Sequence, residues 1–380
     1  MKEEKRPFLL KKRKKGDNDK RNSSIELLRL ILMTLIVFHH ISINTNSLSS
    51  INIQNYKNIN KWKYIFLKII SNYGQFGNNT FIMISGCFSA SKTSFNIDKF
   101  LSFLFEIYTY YYPSILIGKI LKNKYKYINF PNFRNKTIYM PNLTYNGNWF
   151  AQIYLTLILF FPYINTGLIN LDKRKYKNLV MITIIFYCIF NKIIKYYQIH
   201  SIIFDTTPLI NLLIPYIIGG YFHLYNLEYK TFWTIIGLIY FPLTILLEII
   251  LDMAYFHYND YFFILLKGNL FYDMDSIISI LGSIGIIYIF KNITFYSKII
   301  NWISFSIFGI YLFHANKNIS PYIYNVVFKT NDINEQYFFL KYFIKALLIV
   351  AVSLFIDIIR RYTIGSFIMR IIKKIKLFLF

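Results

Sequence analysis

Residues 24–43 read SIELLRLILMTLIVFHHISI, an apolar run with a Glu and an Arg near its start and two histidines near its end. A helix needs about 20 mainly apolar residues to cross a bilayer, and this run has that length. Further runs of the same kind follow along the whole chain. The ten predicted helices span 24–43, 65–88, 99–121, 149–170, 178–197, 207–225, 230–252, 272–290, 301–325 and 338–359. The sequence therefore predicts an all-α protein, a polytopic transmembrane bundle of about ten membrane-spanning helices.

The composition of the whole chain agrees with a membrane bundle. Hydrophobic residues make up 55% of the 380 residues and charged residues only 16%, whereas a soluble domain carries about 25% charged residues. The deficit extends over the whole length, which is not the pattern of a soluble enzyme with one anchor. We therefore expect a membrane domain over residues 23–359, in the plasma membrane, with basic tails over 1–22 and 360–380.

The formal net charge of +25 lies in the tails and between the apolar runs. These basic residues form no aromatic-interleaved groove, so they do not predict nucleic-acid binding. Lys and Arg favour the cytoplasmic side of a membrane, and an even number of helices puts both termini there. The loop over 122–148 is basic yet falls outside in this scheme, so either compositional bias explains it or the helix count is off by one.

Three polar residues of the first helix point to chemistry. Arg29 and His40 are eleven positions apart, three helical turns plus about 20°, so they share a face and lie roughly 16 Å apart along the axis. Glu26 precedes Arg29 by three residues and can pair with it. Histidine is suited to act as a general base near neutral pH. From spacing alone, an interfacial arginine and a capping histidine explain the pattern equally well, and His39 is expected at the interface.

The same run resembles the first-helix signature of the acyltransferase-3 family. In that signature an acidic residue, Leu-Arg, an aliphatic stretch and a histidine follow one another, with ten residues between the Arg and the His. The resemblance implies that His40 is the catalytic histidine and that Arg29 is a catalytic or donor-binding partner, with Glu26 beside it.

A second stretch is similar to another element of the family. Residues 81–88 read FIMISGCF, close to the family's Phe-x-x-x-Ser-Gly-Tyr-Phe, with Cys87 where Tyr is common. The resemblance implies that Ser85 and Gly86 bind the acyl donor. The physical alternative is that this small pair lets two helices approach closely.

Weaker matches follow later in the chain. Trp149-Phe150 resembles the Trp-Phe pair that often opens the fourth helix of the family, and GIYLFH over 309–314 resembles its late Gly-x-Tyr-Leu-x-His element. On this resemblance Trp149 and His314 are expected to bind the acceptor substrate. An interfacial aromatic anchor is an equally good account of Trp149.

One departure concerns the donor site. The family often has Arg-x-x-Arg just before an aliphatic-Tyr-Pro, and this chain has Ile107 and Tyr110 at the two arginine positions. If those arginines grip the phosphates of coenzyme A, other cations must do so here. Lys92 and Lys99, in the preceding loop that is expected to be cytoplasmic, are the cations available.

The resemblance implies an acyltransferase of groups other than amino-acyl groups, and specifically an O-acetyltransferase. It would take acetyl from cytoplasmic acetyl-CoA, a donor substrate rather than a bound cofactor, and place it on a hydroxyl of a surface polysaccharide or its lipid-linked precursor. Direct transfer and an acyl-enzyme both stay open, and so does the oligomeric state. Cys87 and Cys188 lie inside apolar runs and predict no metal site.

Other classes of protein fit part of the pattern. A polytopic transporter or flippase for lipid-linked sugars accounts for the helices and basic tails, but not for the Arg-to-His spacing together with the Ser-Gly element. Discontinuous helices in paired halves would favour it, and the sequence shows no internal symmetry. A glycan polymerase would keep its activity without acetyl-CoA. A catalytically inactive relative is consistent with the missing arginine pair.

Overall fold

The chain is all-helical in the part that the structure describes. The computed structural model describes residues 22–44, 61–126, 128, 130, 149–190, 208–225, 230–258, 273–330, 335–368 and 370–372. These residues contain no β-strand, and the all-α prediction is confirmed. The tail over 1–21, the final residues 373–380 and most of the basic loop over 122–148 lie outside the described residues.

Twelve α-helices follow one another within the described ranges. They are α1 (Ser23–Asn44), α2 (Lys61–Ser89), α3 (Ile97–Lys124), α4 (Trp149–Ile169), α5 (Lys173–Ile184), α6 (Pro208–Leu224), α7 (Lys230–Tyr258), α8 (Ile277–Asn292), α9 (Lys298–Ser304), α10 (Ile307–His314), α11 (Ser320–Tyr322) and α12 (Phe338–Arg360). Wider π-helical turns extend α5, α11 and α12 over Ile185–Phe190, Ile323–Val327 and Arg361–Gly365.

Several helices have the length and apolarity of membrane spans. Four segments among the described residues meet both criteria: Ser23–Asn44, Trp149–Ile169, Lys230–Tyr255 and Phe338–Ile372. Large apolar side chains on these helices point outward, among them Leu238 and Phe355, which are 64% and 63% exposed. An apolar outer surface of this kind is suited to lipid rather than water. The count of about ten spans stays a prediction.

The predicted helix over 301–325 is wrong as a single element. The chain leaves the helical path at 305–306 and again at 315–319. At the second break the backbone N–H of Asn318 donates to the side-chain oxygen of Asn316, 3.0 Å away. Asn side chains offer the backbone this kind of local alternative to a helix, so the apolar run is divided into short helices.

The described chain divides into two compact units, and some helices contribute to both. Unit 1 comprises residues 1–32, 72–95 and 157–301, and unit 2 comprises 33–71, 96–156 and 302–380. Helix α1 belongs to unit 1 up to Leu32 and to unit 2 from Met33.

Within unit 1, helices α2 and α6 pack backbone against backbone. A Cβ atom on Gly86 would collide with the carbonyl oxygen of Tyr216, and one on Gly219 would collide with that of Met83. Only glycine permits helices to approach this closely. The positions of these glycines therefore set the crossing of the two helices.

A buried asparagine fixes the turn that follows α2. The side-chain amide of Asn165 donates to the carbonyl oxygens of Ser89 and Lys92, both at 2.7 Å. Its own oxygen accepts from the hydroxyl of Tyr216 at 2.8 Å. Because the amide is satisfied on both sides, this network ties α4 and α6 to the loop that carries Lys92.

Unit 2 has an apolar core between the later turns of α1 and the start of α12. Tyr342 stacks on Phe38 with ring centroids 5.9 Å apart and donates its hydroxyl to the carbonyl oxygen of Phe38 at 2.9 Å. The other core residues are Val37, Ile41, Leu67, Ile319, Ile323, Tyr324, Phe338, Ala346 and Ile349. This packing fixes the turn of α1 on which His40 lies.

Candidate functional site

His40 and His314 lie side by side in unit 2, with ring centroids 5.0 Å apart. His314 is fully buried, and its Nδ1 lies 2.6 Å from the carbonyl oxygen of Ile310. A carbonyl oxygen only accepts, so Nδ1 carries the hydrogen and Nε2 keeps a lone pair while the ring is neutral. That Nε2 has no hydrogen-bond partner among the described residues.

His40 also has a nitrogen available for chemistry. Its Nδ1 is buried and has no hydrogen-bond partner within the described part of the chain. A ring nitrogen without a partner can accept a proton or a hydrogen bond from a bound molecule. The neighbouring His39 is half-buried like His40 but differs in its hydrogen bonding, because its Nδ1 donates to the carbonyl oxygen of Ser71. The place of His39 at the membrane interface stays a prediction.

A row of aromatic rings joins Trp149 to His314 within unit 2. Trp149 contacts Phe150 at 5.9 Å between centroids, Phe150 contacts Tyr311 at 5.6 Å, and Tyr311 contacts His314 at 6.2 Å. The two residues that the resemblance implies in acceptor binding are therefore linked by one aromatic row. Aromatic side chains are common in the walls of ligand sites.

The predicted ion pair of the first helix is confirmed in unit 1. Arg29 lies 3.3 Å from the buried carboxylate of Glu26, and its side chain is 26% exposed. The guanidinium also lies over the ring of Phe88, 5.9 Å from its centroid. Two contacts therefore orient Arg29 while part of its side chain stays accessible.

The small pair of α2 is placed for helix packing. Ser85 donates its hydroxyl to the carbonyl oxygen of Phe81 at 3.1 Å, one turn back, and Gly86 lies at the crossing with α6. The structure shows that Gly86 permits the close packing of α2 against α6. Donor binding by Ser85 and Gly86 stays a prediction.

The two candidate lysines belong to different units. Lys92 is exposed in the loop after α2, in unit 1. Lys99 lies in the first turn of α3, in unit 2, with its ammonium group 5.9 Å from the centroid of the Phe103 ring. Their predicted role in donor binding rests on the sequence alone.

Comparison with known proteins decides the family. An acyltransferase domain, that of the acyltransferase-3 family, matches residues 22–358. The chain belongs to the acyltransferase-3 family. With its apolar helices, this membership supports a membrane acyltransferase. No curated protein and no solved structure shows a significant match to the chain.

The structure of this acyltransferase-3 protein contains a buried polar network that the sequence analysis missed. Asp357 is fully buried, and its Oδ1 accepts from the hydroxyl of Tyr110 and from Nε of Arg360, both at 2.7 Å. Arg360 also pairs with Glu106 at 2.7 Å. One guanidinium therefore holds two carboxylates inside unit 2, and it ties α3 to the end of α12.

This network occupies one of the positions where the family often has an arginine. Tyr110 stands at the second position of Arg-x-x-Arg, and the guanidinium of Arg360 lies 5.5 Å from the centroid of its ring. The membrane domain that the sequence predicts ends at residue 359, which places Arg360 in the basic tail. Asp357 and Arg360 are three residues apart, which is pairing distance on a helix, and that spacing was the available signal.

Proposed function

We propose that this acyltransferase-3 protein is an O-acetyltransferase. It takes acetyl from cytoplasmic acetyl-CoA and places it on a hydroxyl of a surface polysaccharide or of its lipid-linked precursor. The observation that carries the proposal is the contact between His40 and His314 in a chain of this family. Acyl transfer to a hydroxyl needs a group that takes the hydroxyl proton, and a neutral imidazole is suited to that near neutral pH.

In the proposed reaction His40 accepts the proton of the acceptor hydroxyl while the hydroxyl oxygen attacks the thioester carbonyl carbon. The carbon–sulfur bond then breaks, and the leaving thiolate of coenzyme A takes that proton from the imidazolium. His40 returns to its neutral form, and no other reactant is consumed. In the covalent variant His40 first receives the acetyl group and then passes it to the hydroxyl.

The surrounding residues have supporting roles in this proposal. His314 keeps an Nε2 lone pair beside His40, so it can hold the working imidazole in one orientation. Arg29, oriented by Glu26, supplies positive charge to the acyl donor. Trp149 contributes an aromatic surface for the acceptor.

The charge distribution of unit 1 supports a proposal about which of its ends faces the cytoplasm. Helices α7 and α8 pack antiparallel through close glycine contacts. Lys230 begins α7 and Lys291 lies at the end of α8, so both cations fall at one end. Glu248 and Asp252 lie toward the other end of α7, and Asp275 precedes α8. Basic residues favour the cytoplasmic side, so the first end is proposed to face the cytoplasm.

An assay in isolated membranes tests the proposal. Membranes carrying wild type, His40→Ala or the control His257→Ala, an exposed residue at the end of α7, receive acetyl-CoA and glycan from cells that lack the gene. Release of the coenzyme A thiol and alkali-labile acetyl on the glycan are measured together. We expect wild type and His257→Ala to give both signals and His40→Ala to give neither.

Three other results would count against parts of the proposal. Wild-type rates from His40→Ala would show that His40 is not the base. Turnover with a longer acyl-CoA but not with acetyl-CoA would overturn the acetyl donor. No consumption of any acyl-CoA, together with altered glycan export in the host, would favour the transporter or flippase alternative.

A further inference from the structure

Unit 1 contains a cavity bordered by α2, α6, α7 and α8. Its volume is about 170 Å³, several times the roughly 30 Å³ that one water molecule occupies in the liquid. The floor is formed by buried side chains with little polarity, among them Cys87, Phe222 and Ile284. The cavity therefore has room for a phosphate-sized group with a short apolar stem, but not for a whole nucleotide.

The rim of the cavity is polar and basic. Lys230, Lys291 and Asn292 line it with exposed side chains, and Tyr288 adds a half-exposed phenol. Lys291 donates to the carbonyl oxygen of Phe222 at 3.3 Å. Two ammonium groups, an amide N–H and a hydroxyl form a donor set suited to phosphate oxygens.

The surroundings add positive charge to this rim. The positive charges of Lys92 and Lys291 both raise the electrostatic potential at His223. This residue follows the cavity residue Phe222 in α6. The buried carboxylates Glu248 and Asp252 lie toward the far end of α7 from Lys230. A positive field over an apolar recess attracts an anion that is attached to an uncharged group.

We propose that this cavity binds a phosphate group through Lys230 and Lys291, while its floor receives the uncharged neighbouring part of the same ligand. Two sources present this chemistry: the phosphates of coenzyme A, and the headgroup of an anionic lipid. The first source rests on the proposed function, since it assumes that acetyl-CoA is the donor. The second does not.

Binding to the full-length protein in nanodiscs tests the cavity. In neutral phosphatidylcholine discs, calorimetry measures the affinity for coenzyme A and for pantetheine, which lacks the phosphates. The variants are Lys230→Gln and Lys291→Gln, and the matched control is Lys298→Gln, an exposed lysine of the same unit outside the cavity. We expect each cavity variant to lower the affinity for coenzyme A about tenfold, the effect of losing one charge-assisted contact. The affinity for pantetheine, and both affinities of the control variant, should be unchanged.

A second arm of the experiment distinguishes the lipid source. Without coenzyme A, the melting temperature is compared in neutral discs and in discs containing phosphatidylglycerol. A higher melting temperature in the phosphatidylglycerol discs would support the phosphate site with a lipid headgroup in it, provided that wild type and Lys298→Gln show the increase and both cavity variants lack it. Size-exclusion profiles of all variants confirm that these exposed substitutions leave the fold intact.

The outcomes separate the cavity from the proposed function. If wild type binds coenzyme A and both cavity variants bind it equally well, with the lipid response also unchanged, the cavity proposal is overturned while the acetyl-CoA donor stands. If wild type binds no coenzyme A but the lipid response depends on the two lysines, the cavity proposal stands and the donor is overturned. A wild type that responds to neither ligand overturns both.

Discussion

At the scale of single residues, the candidate site combines side chains that are far apart in the sequence. His40 and His314 come together from α1 and α10. Each has a buried ring nitrogen without a partner among the described residues. In the proposed reaction the two histidines act as a unit, and residues that act as a unit each disable much of the same step when removed.

The pairing of the two histidines predicts that the effects of replacing them on kcat are not additive. Replacing His40 with alanine should lower kcat by about 10²- to 10⁴-fold, the usual contribution of a general base. His314→Ala should lower kcat less, and the double variant should be no slower than His40→Ala alone. Initial rates of coenzyme A release measure all three. Rate losses that multiply in the double variant would show that the histidines act independently.

The second residue prediction concerns pH and the loop before α12. Lys345 donates to Glu335 at 2.6 Å, and this contact, with Lys341 beside it, holds the pKa of the Glu335 carboxyl below its ordinary value. Because the folded state favours the charged form of Glu335, the contact stabilises the folded protein at pH values above the unfolded pKa, which is about 4.3. That stability is lost as the pH falls through the lower folded pKa.

The measurement is the melting temperature of wild type and Glu335→Gln between pH 7 and pH 3. At neutral pH wild type should have a higher melting temperature than Glu335→Gln. This gap between the two melting temperatures should close below about pH 4. A gap that is constant over the whole range would show that the carboxylate charge does not act on stability.

Individual candidates were predictable from the sequence, but their partners were not. His40, Arg29 and His314 stand out because ionisable residues are costly in apolar helices. The contact between His40 and His314 joins positions 274 apart, and no local pattern reports such a distance. The pair of Glu26 and Arg29 is local, and for that reason the sequence predicted it.

At the scale of helices, glycine contacts determine how α2 meets α6. A methyl group at Gly86 would collide with backbone atoms of α6, whereas one at Gly167 in α4 meets nothing within 4 Å. Gly86→Ala should therefore destabilise the protein by about 1–3 kcal/mol. Gly167→Ala should leave stability unchanged or raise it slightly, because alanine favours helix. Thermal melting of both variants in detergent checks this, and equal effects would contradict the crossing.

The link between α3 and α12 makes a second prediction at this scale. Arg360→Gln leaves the carboxylates of Glu106 and Asp357 without their cation, and an uncompensated buried charge costs about 3–5 kcal/mol. The variant should melt well below wild type, while Arg370→Gln, on an exposed residue, should not. A variant that also carries Glu106→Gln should recover part of the loss. No difference between Arg360→Gln and Arg370→Gln would refute the network.

Helix positions were easier to predict than helix ends and breaks. Apolar runs located α1, α4 and α7 because length and hydropathy are properties of the run itself. The breaks within 301–325 depend on local polar contacts such as that of Asn318 with Asn316. The end of α12 was placed too early because Arg360 looked like a tail residue, whereas its partner Glu106 lies 254 positions away.

At the scale of the whole molecule, composition predicted the class of protein and left its topology open. The low charged fraction and long apolar runs predicted a helical membrane protein, and the helices and the family agree. The number of spans and the sidedness depend on segments outside the described residues, and hydropathy alone does not count them.

Cysteine labelling tests the orientation. Both native cysteines are buried, so the wild type gives a low background with a membrane-impermeant maleimide. Lys175→Cys, at the start of α5, should react only after the cells are permeabilised, and His257→Cys, at the end of α7, should react on intact cells. Both positions are exposed. The reverse pattern would place the basic end of unit 1 outside.

The central claim, that His40 makes this protein an O-acetyltransferase of a surface glycan, is tested most directly in its own host. The gene is deleted and restored as wild type, His40→Ala or His257→Ala at matched membrane levels. Proton NMR then measures O-acetyl groups on the purified glycans before and after mild alkali. We expect acetylation to vanish on deletion and to return with wild type and His257→Ala but not with His40→Ala. Full acetylation with His40→Ala, or unchanged acetyl groups on deletion, would contradict the claim.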